Sequence, residues 1–258
     1  MKFEVHTPSE ELRPYVKHFV ISESDDMRSY KVLPGTSLVM GFQYAGNLSY
    51  LDDNNEQPLA VAGITGLTDK YRIFKNSNQT GSILVIFHET GAARFFAAPL
   101  HELFGESLSL EHLFSRSELN ETAEKLHAAN TDKGKIGVIE RLLLNHLQDK
   151  QEDLLVTKAL RYIYQSKGTI RISELADKLH TSQSPLEKRF RSIVGATPKK
   201  FASIVRVKNV LSAIEELSND EIPFIAGYYD QAHFIKDFKA FTALTPEQYL
   251  KEIKPPKT

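Results

Sequence analysis

The sequence predicts an α+β chain, with an N-terminal antiparallel β-barrel or sandwich, linker helices and an all-α C-terminal third. Three observations predict it. Up to residue 90, short apolar or alternating runs recur at the 8–12-residue spacing of an antiparallel barrel or sandwich, broken by Pro34-Gly35, Gly46-Asn47 and Asn76-Ser77-Asn78. Beyond residue 90 the apolar positions recur at steps of three and four, the period of a helix. The C-terminal third also contains an internal repeat, with residues 189–201 laid on 237–249 at a constant offset of 48.

The predicted strands run over 15–22, 29–33, 37–44, 48–51, 59–64, 71–74 and 82–87. Amphipathic helices follow at 118–129 and 133–149, and in the second Ile136, Ile139, Leu143 and Leu147 form one stripe. That stripe suits either a dimer seam or packing on the chain's own barrel. The polar run Gln148-Asp149-Lys150-Gln151-Glu152-Asp153 reads as a linker, and the chain is helical from Leu154 onward. The divisions are therefore 1–100, a helical connector at 101–153, and a C-terminal domain at 154–258.

Composition excludes several classes. The 258 residues include no cysteine, so disulfides, thiolate metal sites and a cysteine nucleophile are ruled out. The charged N-terminus has no apolar core of a signal peptide, and no apolar run is long enough to span a bilayer, so a cytoplasmic protein is expected. No His-x-His, His-Glu-x-x-His, Gly-x-Ser-x-Gly or phosphate-cradling glycine loop is present, so neither an enzyme nor a metal or cofactor is expected. Charge is uneven: residues 1–150 carry 15 basic and 20 acidic side chains, and residues 151–258 carry 17 and 13. Within 186–208 seven Lys/Arg face one Glu, a basic stretch of the sort that meets nucleic acid.

The repeat has a physical reading. Ser182 and Asp230 are placed to cap helices, and Leu186, Phe190 and Ile193, like Phe234, Phe238 and Phe241, then follow at helical spacing. Each Thr-Pro restarts a helix, with the threonine as cap and proline as first residue. A short helix at 173–179, a tight joint at His180-Thr181 and the capped helix at 182–194 make a helix-turn-helix, with Ala176 small at the crossing. The outward face of the second helix holds Gln183, Ser184, Glu187, Lys188 and Arg191, none of them apolar.

Residues 154–254 resemble the DNA-binding domain of AraC-type bacterial transcription regulators. The resemblance runs through ISELADKLHTSQSPLEKRFRSIVGATPKKF, the joining helix ASIVRVKNVLSAIEEL and GYYDQAHFIKDFKAFTALTPEQYL. Residues 8–100 look like the cupin-like N-terminal domain of one branch, from PSEELRPYVKHF through Leu33-Pro34-Gly35 to IFHETGAARFFAAPL. The resemblance implies two helix-turn-helix units, at 171–195 and 221–243. It implies base reading by Ser184, Glu187 and Lys188 in the first and by Gln231, Ala232 and Lys236 in the second. Phosphate contacts would come from Arg191, Lys199, Lys200, Arg206 and Lys239. Two departures bear on the second unit: Ile225-Ala226 runs directly into Gly227-Tyr228, shortening its scaffold helix, and Ala243-Leu244 stands in place of the family's glycine. The expected partners are double-stranded DNA, a small-molecule effector, RNA polymerase for an activator, and a second copy of the chain. Tyr44, Tyr71 and Phe87 are the aromatic candidates for an effector pocket in the barrel. The alternative is an interaction module, binding a ligand or protein rather than DNA, whose helix-turn-helix is degenerate.

Overall fold

The computed structural model describes residues 2–52, 55–214 and 231–253. The N-terminal half is a sandwich of two antiparallel sheets. The first sheet has the order β1 (Lys2–His6), β2 (Val16–Ser24), β9 (Thr80–Phe87), β4 (Val39–Ala45), β7 (Ala62–Thr65), β10 (Ser107–Ser109). The second has the order β3 (Arg28–Val32), β8 (Arg72–Asn76), β5 (Leu48–Asp52), β6 (Asn55–Pro58). β4 turns into β5 at Gly46, whose φ of +61° is a conformation that side chains with a Cβ rarely adopt.

Strand alternation decides where the core lies. In β9, Ile83, Val85 and Phe87 are fully buried on one face of the six-stranded sheet. Phe19 and Ile21 of β2 and Met40 of β4 join them in the same core cluster. That core also takes in Phe95, Phe96, Leu100 and Leu103 from the segment after β9, with Phe95 5.5 Å from the Phe87 ring. Helices α1 (Arg116–Ala128) and α2 (Asp132–His146) complete it. α1 begins at a reciprocal cap between Ser115 and Glu118, and α2 at Thr131, whose hydroxyl accepts from the Gly134 amide. Ile136, Ile139, Leu142 and Leu143 of α2 are buried within the chain's own core, so of the two uses open to this stripe the structure shows packing on the chain itself.

The linker read at 148–153 is coil, yet it is stitched to the barrel. The Gln148 amide donates to the Arg94 carbonyl, and the Lys150 ammonium donates to the carbonyls of Ala93 and Phe96. The C-terminal domain then runs through α3 (Leu154–Gln165), α4 (Ile172–Lys178), α5 (Gln183–Val194) and α6 (Pro198–Ala213). Beyond the undescribed segment come α7 (Gln231–Thr242) and α8 (Pro246–Ile253). Both Thr-Pro restarts form as their sequence requires. Thr197 accepts from the Lys200 amide, while Thr245 and Gln248 cap each other. Ser182 stands at the cap position of α5, but its side chain makes no capping bond.

α6 divides its apolar face between two cores. Phe201, Ala202 and Val205 belong to the large cluster that runs back into the barrel. Ile204, Val207, Val210 and Ile214 form a second cluster with Phe234, Phe238 and Phe241 of α7. The first helical unit is thus continuous with the N-terminal core, and the second hangs on the far side of α6. Leu33 packs on this second cluster, and the Tyr71 amide meets the Ala240 carbonyl at 3.4 Å.

Candidate nucleic-acid interface

The first unit is built by packing of α4 against α5. Leu175 and Ala176 of α4 are buried. The joint is tight: the Thr181 amide returns to the Ala176 carbonyl, and His180 adopts φ +50°. α5 then lays Leu186, Phe190 and Val194 into the core, with the Phe190 ring edge-on to Phe201 at 5.6 Å. Its other face is solvent. Gln183, Ser184, Glu187, Lys188 and Arg189 are all exposed, so the three base-reading candidates of this unit project from one free surface. A helix that presents its N-terminal half in this way fits the major groove, where side chains reach base edges.

The second unit is described only from α7 onward. Phe234, Phe238 and Phe241 are buried, while Ala232, Lys236 and Lys239 are exposed. The scaffold helix expected near 223–226, the cap at Asp230 and the side chain of Gln231 lie outside the described residues. At the offset of 48, Ala243 takes φ +73° where Gly195 takes φ +90°. The left-handed backbone of Gly195 is therefore repeated at Ala243 although the glycine is not.

The cations expected at phosphate are placed differently from one another. Lys199 is exposed and makes no ion pair among the described residues. Lys200 is 3.2 Å from the Asp69 carboxylate of the barrel. Arg191 is half-buried on α5. Arg206 is half-buried on α6 with its Nε shielded from solvent, beneath the turn at Gly168.

Between the two sheets lies a cavity of about 650 Å³. It opens because the lumen face of the larger sheet carries small or short side chains. Ser22, Ser24, Ser82 and Gly41 line it beside Leu84, Ile86, Val39 and Phe74. Lys17, His18, Arg28, Arg72 and Lys208 also reach it, and no Asp or Glu is among its described lining residues. Lys208 comes from α6, so the cavity touches the helix that joins the two C-terminal units. Burial holds the Lys208 ammonium below the usual lysine range, with Lys17 acting in the same direction and Glu89 against it. Glu89 is 3.9 Å from Lys17 and accepts from the Tyr164 hydroxyl of α3 at 2.5 Å.

A helix-turn-helix domain family matches residues 175–252, spanning α5, α6, α7 and almost all of α8. Residues 175–252 are thus similar to a helix-turn-helix domain. A second family, a domain of unknown function (DUF6597), matches residues 4–109 of the sandwich. The Msm operon regulatory protein of Streptococcus mutans is 28% identical to this chain over 157 residues, 59% of this chain and 56% of that protein. The xylose operon regulatory protein of Haemophilus influenzae is 33% identical over 101 residues, 38% of this chain and 26% of that protein. The chain thus spans about half, or less, of the length of these curated relatives. Among solved structures, ToxT from Vibrio cholerae is 12% identical, with 97% of this chain and 98% of that one covered at a TM-score of 0.45.

The aromatic residues expected in an effector pocket, Tyr44, Tyr71 and Phe87, do not line the cavity. Phe87 is fully buried on the opposite face of the sheet, against Phe95. Tyr44 turns toward α2, where its hydroxyl donates to Glu23 at 2.7 Å and Lys135 lies 4.1 Å from its ring. Tyr71 precedes β8, with Lys31 5.6 Å from its ring. The residues that do line the cavity, among them His18, Arg28 and Lys208, were not read from the sequence. The alternation of short polar and apolar positions along β2 and β9 was a signal for the strand residues that line it, such as Ser22 and Ser82, but not for Arg28 of β3 or Lys208 of α6.

Proposed function

We propose that this chain is a sequence-specific DNA-binding transcription regulator whose helix α5 reads base edges in the major groove. The observation that carries the reading is the division of α5. Leu186, Phe190 and Val194 are anchored in a continuous core, and Ser184, Glu187 and Lys188 stand free on the opposite face. In such a groove the Lys188 ammonium donates to guanine O6 and N7, and the Glu187 carboxylate accepts from a cytosine amino group. Lys199, and in the second unit Lys239, are exposed to neutralise phosphates. Lys236 and Ala232 are the exposed base-facing candidates of α7.

The N-terminal sandwich serves as the sensor for a small-molecule effector. Its cavity falls within the size range of ligand pockets, and its described lining, with Lys17, His18, Arg28, Arg72 and Lys208 and no Asp or Glu, suits an apolar body carrying an anionic group. Selection of bound sites from random duplex DNA tests the first claim, with the Lys188→Ala variant as comparison. Titration of the chain with apolar carboxylates and their uncharged amides, read by calorimetry, tests the second. A selection that enriches no sequence would overturn the regulator reading.

A further inference from the structure

Two neighbouring lysines open α6, and the molecule treats them differently. Lys199 faces solvent, whereas the Lys200 ammonium sits 3.2 Å from Asp69 and 4.0 Å from the centre of the Phe104 ring. Asp69 lies in the connection between β7 and β8, and Phe104 follows the short 3-10 turn Leu100–Leu103. Both belong to the sensor half of the chain. The position of α6 against them is set by the core rather than by the lysine. A Cβ at Gly195, just before α6, would lie 3.3 Å from the Leu100 carbonyl oxygen and 3.6 Å from Leu38.

We propose that Asp69 and Phe104 form an intramolecular docking site for Lys200 that competes with the DNA backbone. The inference rests on the DNA reading above and adds its regulation. One ammonium cannot hold the Asp69 carboxylate and a phosphate oxygen with the same geometry, and leaving the Phe104 face exposes that ring to water again. In the free chain the sensor half holds the cation, and DNA binding transfers it. Any movement that separates the Asp69 loop from α6 removes the competitor and so tightens DNA binding. An exposed ion pair and an exposed cation–π contact together are of a size to weaken DNA binding about threefold to tenfold.

The test is a double-mutant cycle on full-length protein with the duplex enriched by selection, measured at one fixed salt concentration. Wild type, Asp69→Asn, Lys200→Ala and the double variant are compared. Asp69 and Lys200 are each nearly half exposed, so these changes leave the core intact. Asp69→Asn, which removes the ion pair and leaves the Phe104 contact, is expected to tighten binding about twofold to fivefold when Lys200 is present, and to change nothing in the Lys200→Ala background. Phe104→Leu, which keeps an apolar contact but removes the ring face, shifts binding in the same direction by a smaller factor. An equal gain from Asp69→Asn in both backgrounds would mark a general loss of negative charge and overturn the proposal, as would no gain at all. A wild-type chain that binds no duplex even at low salt overturns the DNA reading itself, a result seen before any variant is measured.

Discussion

Asp153 and Arg189 join α3 to α5 through one carboxylate. Asp153 Oδ1 accepts from the Leu155 and Val156 amides, capping α3. The same carboxylate receives Arg189 of α5 in a two-pronged contact, with both bonds at 2.7 Å. The two roles differ in weight. The cap satisfies amides that have no other partner in the helix, while the arginine is half exposed and its pair is screened by water. Asp153→Ala is therefore expected to lower unfolding free energy by about 1–2 kcal/mol, and Asp153→Asn, which keeps a capping oxygen, by under about 1 kcal/mol. Urea titration of the three proteins checks the order. Equal losses for both variants would show that the arginine, not the cap, carries the contact.

The repeat makes a second prediction. Gly195 and Ala243 occupy matching positions, both in left-handed backbone, at φ +90° and +73°. An alanine there pays about 1–2 kcal/mol for the contact of its Cβ with the following carbonyl. Ala243→Gly should stabilise the second unit by about 0.5–1 kcal/mol once the extra freedom of glycine in the unfolded chain is subtracted. Gly195→Ala should destabilise the first by more, because its Cβ also meets the Leu100 carbonyl. Hydrogen exchange in α7 and α5 separates the two effects, since the two units sit on different cores. Faster exchange in α7 of Ala243→Gly would contradict the assignment.

What could be read from the sequence was periodic and local. The division of α5 follows from Leu186 and Phe190 at helical spacing, and the restarts of α6 and α8 from Thr-Pro. β1, β6 and β10 were not anticipated, because they are short strands at sheet edges with polar or exposed positions, such as Asn55-Glu56-Gln57-Pro58. The pocket residues were misplaced for a different reason. A strand whose two faces are both apolar alternates without saying which face is the lumen, so Phe87 reads as inward when it belongs to the helix-covered core. The contact of Lys200 with Asp69 and Phe104 joins residues far apart in the chain, and no local pattern announces it.

Base and phosphate contacts should separate in titration. Lys188→Ala should weaken binding to the selected duplex by about 1–3 kcal/mol while leaving scrambled duplex nearly unchanged. Lys199→Ala should weaken both duplexes alike and reduce the slope of log affinity against log salt by about 0.9. A Lys188→Ala loss shared equally by both duplexes would reassign that residue to the backbone.

Acid stability should depend on the tie between α1 and α2. His146 Nε2 lies 2.6 Å from Glu118 Oε1, and the Phe114 ring stands edge-on to the imidazole at 4.5 Å. The hydrogen bond to His146 holds the Glu118 carboxyl below its ordinary range, against the opposing effect of burial. A carboxyl lowered by folding adds stability that is fully present above its unfolded value and lost as pH falls through the lowered folded value. Glu118→Gln removes that contribution at every pH. The variant should therefore be less stable than wild type at pH 7, and the gap should close as pH is lowered from about 5, where ordinary carboxylates begin to protonate. Urea unfolding at a series of pH values measures the gap directly. A gap of constant size down to acid pH would mean that Glu118 serves only as the partner of Ser115 in the cap of α1, with no contribution from its charge on His146.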